Sequence, residues 1–388
     1  MNENEIYSDS SRLNYGDGFS DDDAPIVMPP TPYRGRMPMQ NGGYYPQQGM
    51  TGRYPPYKKK RKGRFFLKFL LILFLVAILT ILVYLILVLG RIHYTGETVD
   101  HSVAEANGIV LKENPDITNI LVFGEDNHQE GERGRADSMI LLSMDKNTRQ
   151  LKQTSFMRDI YVTIPNNGEN KLNAAYSIGG PKLAVETIEY NFGIRIDYYM
   201  TVDFESFTDI IDSVGGIDLE LTYDEVAYIN WQSHKNHQTD DEDELKKDTL
   251  SYNLNNEGYY TALVHLNGRQ ALWYARDRDS AGSDFDRTQR QRIVLNNVFS
   301  RLSQSNPFTM LGTIYAVSGH LSTNMDPIAV TGKGFELVTA FGYDKQEYRL
   351  PTSDNYYDAY FDHCGQSLVI ADTELEKNRL YTFIYNAS

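Results

Sequence analysis

Apolar residues are arranged along this chain in several distinct patterns, and each predicts a different kind of element. From Phe69 to Leu89 they run as FLLILFLVAILTILVYLILVL without a charge, close to the ~20 residues a helix needs to cross a bilayer. Shorter apolar runs follow at Asn119–Phe123, ending in Gly124, and at Met139–Ser143; runs of that length are expected of buried strands. After a polar turn at Lys146–Arg149, the alternation over Leu151–Met157 predicts an antiparallel neighbour. Residues 173–192 place Ala, Leu, Val and Ile at helical spacing, and Gly179-Gly180-Pro181 interrupts them, with the proline restarting the helix. Tyr198–Val202 reads as strand, Phe204–Val214 as helix and Ile217–Leu221 as strand, and the mixed pattern continues through residues 328–340 and 375–385. No internal repeat is present, and the alternation predicts a three-layer α/β domain.

Composition divides the chain further. Residues 1–64 are rich in Pro, Gly, Tyr, Gln and Met and lack apolar periodicity, as expected of a disordered tail. Residues 65–90 form the transmembrane helix, 91–115 a polar stalk, and 116–388 the folded domain. A cleaved signal peptide has an apolar core of only about 7–15 residues near the N-terminus, which this segment exceeds. Lys58, Lys59, Lys60, Arg61, Lys62, Arg64 and Lys68 all precede the span, so the positive-inside rule puts the tail in the cytoplasm and the domain outside the cell. The chain is therefore expected to contact the lipid bilayer through a single pass.

Charge narrows the function classes. The net charge is -15; residues 1–68 carry 11 Lys and Arg against 7 Asp and Glu, so the remainder holds 26 basic and 45 acidic side chains, a balance of -19. Such a domain offers no general surface to nucleic acid or to anionic lipid, and a local cluster of arginines in it is informative. The acidic run Asp240–Glu244 sits in a polar segment, about 224–256, that reads as an inserted surface loop. Cys364 is the only cysteine, so no intramolecular disulfide is available and the fold must rest on its core.

Arginines cluster in the window 271–292, ALWYARDRDSAGSDFDRTQRQR, which reads as helix, loop, helix. Arg287 and Gln291 are four apart and share a helix face. Guanidinium groups match phosphate oxygens in bidentate fashion, and the window also fits a solvated, salt-bridged face, with Asp277, Asp279, Asp284 and Asp286 as partners. Other charged residues stand at strand ends: Asp126 after the first run, Arg135 and Asp137 before the second, Arg158 and Asp159 after the third. In α/β sheets ligands bind beyond strand ends. A diphosphate site there needs a divalent ion on one or two carboxylates, supplied by Asp126 and Asp137, with Arg135, Arg158, Arg276, Arg278 and Arg287 as the clamp. No P-loop, GxSxG, HExxH or CxxC motif occurs. Asp277, Asp279 and Gly282 imitate a calcium loop, but Ala281 replaces a ligand and Thr288 stands where the bidentate Glu belongs. His234 and His237 belong to the polar insert, where a solvated loop is the expected reading.

Seven ordered blocks, TNILVFGEDNH, GRADSMILLSMD, SFMRDIYVTIP, KLNAAYSIGGP, DYYMTVDFESFTDIIDSVGGIDL, LNGRQALWYARDRD and SDFDRTQRQR, resemble the LytR-CpsA-Psr family in order and spacing. The resemblance implies a three-layer α-β-α domain with a central mixed sheet, and a magnesium-dependent phosphotransferase. Such an enzyme joins a glycopolymer, of teichoic acid or capsular polysaccharide type, from a polyprenyl-diphosphate-linked carrier to peptidoglycan through a phosphodiester, releasing polyprenyl phosphate. By motif, Asp126 and Asp137 correspond to the Mg2+ ligands, and Arg135, Arg158, Arg276, Arg278, Arg287 and Gln291 to the diphosphate contacts. Asp137 and Asp159 are both candidates to take the acceptor's proton. The family's lipid tunnel would be lined here by Phe204, Phe207, Ile210 and Ile211. His128 stands where the family commonly has Arg, Met157 where it has Pro, and Asp286 where Gly is frequent. Two alternatives share the residues: hydrolysis of the diphosphate, and a non-catalytic cell-envelope binding or regulatory protein.

Overall fold

A computed structural model of the chain describes residues 62–126, 134–236, 249–250, 262–277 and 284–386. Apart from Lys62 they belong to one compact unit, Gly63–Ser388. The expected disordered tail lies outside the described residues up to Arg61, as do His128, Arg278 and the acidic run of the insert.

The elements, in chain order, are α1 (Lys62–Leu89), β1 (His93–Tyr94), α2 (Ser102–Ala106), β2 (Ile117–Asp126), β3 (Arg135–Asp145), β4 (Gln150–Phe156), β5 (Tyr161–Ile164), β6 (Gly168–Lys171), α3 (Leu172–Phe192), β7 (Tyr198–Asp203), α4 (Phe204–Ser213), β8 (Ile217–Leu221), α5 (Tyr223–Asn236), β9 (Ala262–Leu266), α6 (Gly268–Arg276), α7 (Asp284–Gln304), α8 (Pro307–Ser318), β10 (Ser322–Thr323), α9 (Pro327–Ala340), β11 (Asp344–Leu350), β12 (Tyr356–Phe361), β13 (Gly365–Ile370) and α10 (Thr373–Tyr385). The central sheet has the order β1-β10-β7-β2-β3-β4-β11. It is mixed: β7 and β2 are parallel, as are β4 and β11, whereas β2, β3 and β4 form an antiparallel meander.

Each face of this sheet is covered, which is why its strands read as continuous apolar runs. Leu121 and Phe123 of β2 and Met139 and Leu141 of β3 join one core, with Ala184, Ile188 and Phe192 of α3 and Leu380 of α10. Their sequence neighbours Ile120, Ile140, Leu142 and Met144 join the other core, with Ile211 of α4, Ala271 and Trp273 of α6 and Val294 and Val298 of α7. The three expected layers are therefore present. Gly180 in α3 has φ 73, outside the helical region, and Pro181 begins the second half of that helix as its position demands.

Two local expectations need correction. Residues 91–115 do not form a free stalk: β1 pairs with β10 at the edge of the sheet, and the N–H of Lys112 donates to the Gly193 carbonyl at 2.8 Å. The polar segment 224–256 is not all loop, because α5 buries Val226, Ile229 and Ser233, which sit at i, i+3 and i+7. Ile217–Leu221 is a strand as expected, and among the described residues it pairs with β9 in a separate two-stranded sheet.

Candidate active site

The C-terminal ends of β2, β4 and β7 and the N-terminal end of β3 lie at one edge of the central sheet, and a break in strand register decides what points there. Gly124 is paired with Ser138, but Glu125 is paired with Ala136, which leaves Asp137 as an extra residue in β3. Side chains alternate along a strand, so a one-residue bulge exchanges the faces beyond it. Before the bulge the even-numbered residues of β3, such as Ile140, face the core that holds α4 and α7; after it, Ala136 belongs to the opposite core. Arg135 and Asp137 are thereby turned toward the face where Asp126 points, and all three line one cavity. Gly134 has no room for a side chain, since a Cβ there would come within 2.5 Å of the Asp126 carbonyl oxygen.

Charges are interleaved at this edge. Arg158, just past β4, donates from Nη1 to Asp137 Oδ1 at 2.7 Å and from Nε to Asp159 Oδ2 at 3.2 Å. The other oxygen of Asp159 is 3.1 Å from Lys171 Nζ. Arg276, the last residue of α6, stands 3.7 Å from Asp126 and has its guanidinium 4.2 Å from the centre of the Phe204 ring. Arg287, in the first turn of α7, is only 3 % exposed, and its Nη2 reaches the Asp137 carbonyl at 3.5 Å. The N-termini of α4 and α7 both open at this edge, and their dipoles favour an anion.

Behind the charged rim lies a cavity of about 880 Å³, toward the upper end of the ~300–1,000 Å³ typical of small-molecule sites. Its walls are largely apolar. Phe204, Phe207, Ile210 and Ile211 of α4 line it as expected, joined by Trp273 of α6 and Val294, Leu295 and Val298 of α7. Gln291 also lines it, one turn along α7 from Arg287 and on the same face. The structure thus gathers Asp126, Arg135, Asp137, Arg158, Arg276, Arg287 and Gln291 around one cavity. Asp159 does not line it and holds Arg158 instead.

The arginine window divides in two. Arg290 is buried, donating to Glu225 Oε1 at 3.1 Å and to the Asp277 carbonyl at 3.0 Å. Arg292 binds Glu347 at 2.8 Å and Ser155 Oγ at 3.0 Å. Both are structural partners. Burial, followed by the nearby Glu225 carboxylate, pushes the Tyr274 hydroxyl beside Arg290 up to about 12, so that phenol stays neutral. Two contributions were missed in the sequence: Lys171, which fixes Asp159, and Tyr228, Gln232 and Lys235, which line the cavity from α5. Their spacing of i, i+4 and i+7 was the available signal. Met157 is buried behind the rim with its N–H bonded to Leu350, and Asp286 is half-buried on α7.

No group of three or more His, Cys, Asp and Glu side chains that could enclose a metal occurs among the described residues. The donor set offered is two carboxylates at a polar rim. That fits a hard, oxygen-seeking cation such as magnesium, which keeps waters and takes phosphate oxygens to complete its octahedron.

Comparison with known proteins shows which chains this one resembles. The Bacillus subtilis protein "Polyisoprenyl-teichoic acid--peptidoglycan teichoic acid transferase TagV" is 35% identical over 213 residues, 53% of this chain and 49% of that protein. The chain thus spans about half the length of that relative. "Regulatory protein MsrR" of Staphylococcus aureus (strain Mu50) is 29% identical over 275 residues, 70% of this chain and 75% of its own. The crystal structure of B. subtilis TagV matches with a TM-score of 0.52 at 27% identity, over 70% of this chain and 98% of that one. A structure described as "TagT bound to LIIa-WTA" shares the fold, with a TM-score of 0.54 at 22% identity over 76% of this chain and 99% of that one. The LytR_cpsA_psr family profile matches residues 89–362, a stretch that takes in every strand of the central sheet and both helices that carry the rim arginines, and the chain belongs to that family.

Proposed function

We propose that this protein is a membrane-anchored phosphotransferase that moves a glycopolymer from a polyprenyl-diphosphate carrier onto peptidoglycan. One observation carries the proposal: an apolar cavity of about 880 Å³ opens directly onto a rim of Asp126, Arg135, Asp137, Arg158, Arg276 and Arg287. That shape suits a molecule with a long hydrocarbon tail and a diphosphate head. The teichoic acid transferase names of TagV and of TagU from Bacillus licheniformis support the reaction class. The anchor would be α1: Phe65–Leu89 is long and apolar enough to cross a membrane, and only 6% of its most apolar window is buried, unlike a core helix. The basic residues before it support a cytoplasmic tail and an external domain.

In this reading the acceptor's sugar hydroxyl attacks the phosphorus that bears the glycan. A new O–P bond forms, the bond to the carrier's other phosphate breaks, and polyprenyl phosphate leaves with the electron pair. Phosphoryl transfer is catalysed chiefly by positioning and by charge aimed at the transferring group. Arg158, Arg276 and Arg287 supply that charge, and the wall formed by α4, α6 and α7 holds the tail. Asp137 lines the cavity and receives the hydroxyl proton, whereas Asp159 is a positioning residue clamped between Arg158 and Lys171. A magnesium ion on Asp126 and Asp137, when bound, would neutralise diphosphate charge.

The test incubates the full chain in detergent with magnesium, a synthetic polyprenyl-diphosphate oligosaccharide and peptidoglycan fragments, with products read by mass spectrometry. A phosphodiester conjugate that disappears with Asp126→Ala is the expected result. Free glycan phosphate in the presence of acceptor would replace the transferase by a hydrolase. Bound but intact carrier would favour a regulatory receptor, the reading that the name of the Staphylococcus relative invites.

A further inference from the structure

Helix α8 (Pro307–Ser318) is built inside out. Its sequence, PFTMLGTIYAVS, contains no charged residue in a chain where 23% are charged. Phe308, Leu311 and Tyr315, at i, i+3 and i+7, form one stripe, and they are 86%, 42% and 39% exposed. The opposite side carries Thr313, which is buried and donates to the Ser213 carbonyl at the end of α4 at 3.2 Å. A helix facing water shows the reverse pattern. Fraying does not account for the exposure, since the side chain of Asn306 caps the helix by accepting from the N–H groups of Phe308 and Thr309 at 3.0 Å.

The neighbour of α8 indicates what the stripe faces. Tyr84, within the apolar stretch of α1, donates its hydroxyl to the Leu311 carbonyl at 2.7 Å. Arg91, two residues beyond the stretch, lies 4.5 Å from the centre of the Tyr315 ring. At ~1.5 Å per residue, Tyr84 is about 7.5 Å from the end of the helix. The whole stretch is about 37 Å long against a hydrocarbon core of about 30 Å, which leaves about 4 Å over at each end. Tyr84 therefore stands a few ångströms inside the acyl region. Interfacial helices bury their apolar faces to a depth of about 5–10 Å, and α8 is bonded to α1 at that level. Arg91 and Tyr315 occupy the headgroup level, where such side chains are enriched.

On the reading of α1 as a membrane span, we infer that α8 is a second membrane contact, an interfacial helix that seats the domain on the bilayer surface. Its partner is the headgroup and upper acyl layer of neutral lipid, because the helix is uncharged and the domain is acidic. Apolar burial drives the contact. The inference also bears on substrate entry: α8 packs against α4, whose Phe204, Phe207, Ile210 and Ile211 line the cavity. Seating α8 brings that wall next to the layer in which a lipid carrier resides.

The test uses the full chain in a Cys364→Ser background, reconstituted into vesicles of palmitoyl-oleoyl phosphatidylcholine. Single nitroxide labels are placed by Leu75→Cys in the span, Phe308→Cys in α8 and Tyr360→Cys, a position 74% exposed on the β12–β13 hairpin. Each label's collision rate with oxygen is compared with its rate with a water-soluble nickel complex. Oxygen should dominate at positions 75 and 308, and the nickel complex at 360. A label at 308 that behaves like the one at 360, while 75 stays in lipid, overturns the docking and leaves the span standing. Water exposure at all three positions overturns both.

Discussion

Arg276→Ala and Arg290→Ala should separate function from stability within one arginine cluster. The side chain of Arg276 is 44% exposed, with a 3.7 Å contact to Asp126 and a ring contact to Phe204. An exposed pair contributes roughly 0–1 kcal/mol and an exposed cation–π contact about 0.5–1 kcal/mol. Removing Arg276 should therefore cost the fold about 1 kcal/mol, or a Tm shift of ~2–4 °C. Its cost to transfer should be far larger. Loss of one preorganised group that stabilises transition-state charge typically lowers kcat by ~10²–10³. Arg290 is the converse case: its side chain is 5% exposed and its partners Glu225 and Asp277 are 12% and 1% exposed. Breaking such a buried network costs about 3–5 kcal/mol, a Tm loss of roughly 6–20 °C on the same scale. Transfer rates by mass spectrometry and thermal unfolding by tryptophan fluorescence, measured on both variants, form the assay. Full activity in Arg276→Ala, or a rate loss no greater than its loss of folded protein, would refute the assignment of Arg276 to the rim.

Three further outcomes are expected. Asp126→Asn, or chelation of divalent ions from the parent chain, should abolish transfer with little change in Tm, because the cation site is completed by phosphate rather than by a protein cage; unfolding on chelation would contradict this. Ile210→Trp, which fills part of the cavity from α4, should raise KM for a long-chain carrier much more than for a short-chain one, and equal effects would argue against the cavity as the tail site. Burial raises the pKa of Asp145, but hydrogen bonds from Thr148 and Asn147, aided by Lys152, outweigh it and hold the carboxyl below its ordinary 3.8. A lowered folded-state pKa adds stability that is present above the unfolded value and lost as pH falls through the folded one. The Tm deficit of Asp145→Asn should accordingly be largest near neutrality and close below about pH 4; a gap constant with pH would count against this role.

The strands and the rim carboxylates were legible because both-face burial writes itself as continuous apolar runs, and the charged residues sit where those runs stop. Direction was harder to read. On α7 successive residues turn by about 100°, so Gln291 falls about 40° from Arg287 and joins it at the cavity. Arg292 falls about 140° away and meets Glu347. Arg290 is nearer in angle, and its fate depends on Glu225, a residue more than sixty positions earlier whose helix was hidden in a polar stretch. Strands β1 and β10 are two residues each, too short to carry any period. Lys152, in the middle of a central strand, is fully buried because its Nζ donates to the Ile384 carbonyl and to Asn386 at 2.9 Å, a partnership more than 200 residues away in sequence.

The extra residue in β3 makes the chemistry of this edge depend on a count as well as on identities. A substitution at Asp137 alters one carboxylate and leaves its neighbours in place. Removing one residue between Gly134 and Ser138 would restore plain alternation, which costs the rim a carboxylate either way: loss of Asp137 deletes it, and loss of Ala136 or Arg135 swings Asp137 toward the apolar core shared with α3. Drift in sequence is therefore tolerable across these five positions, whereas drift in length is not. Lineages of this fold that keep the rim should differ here by exchange of side chains and never by insertion or loss.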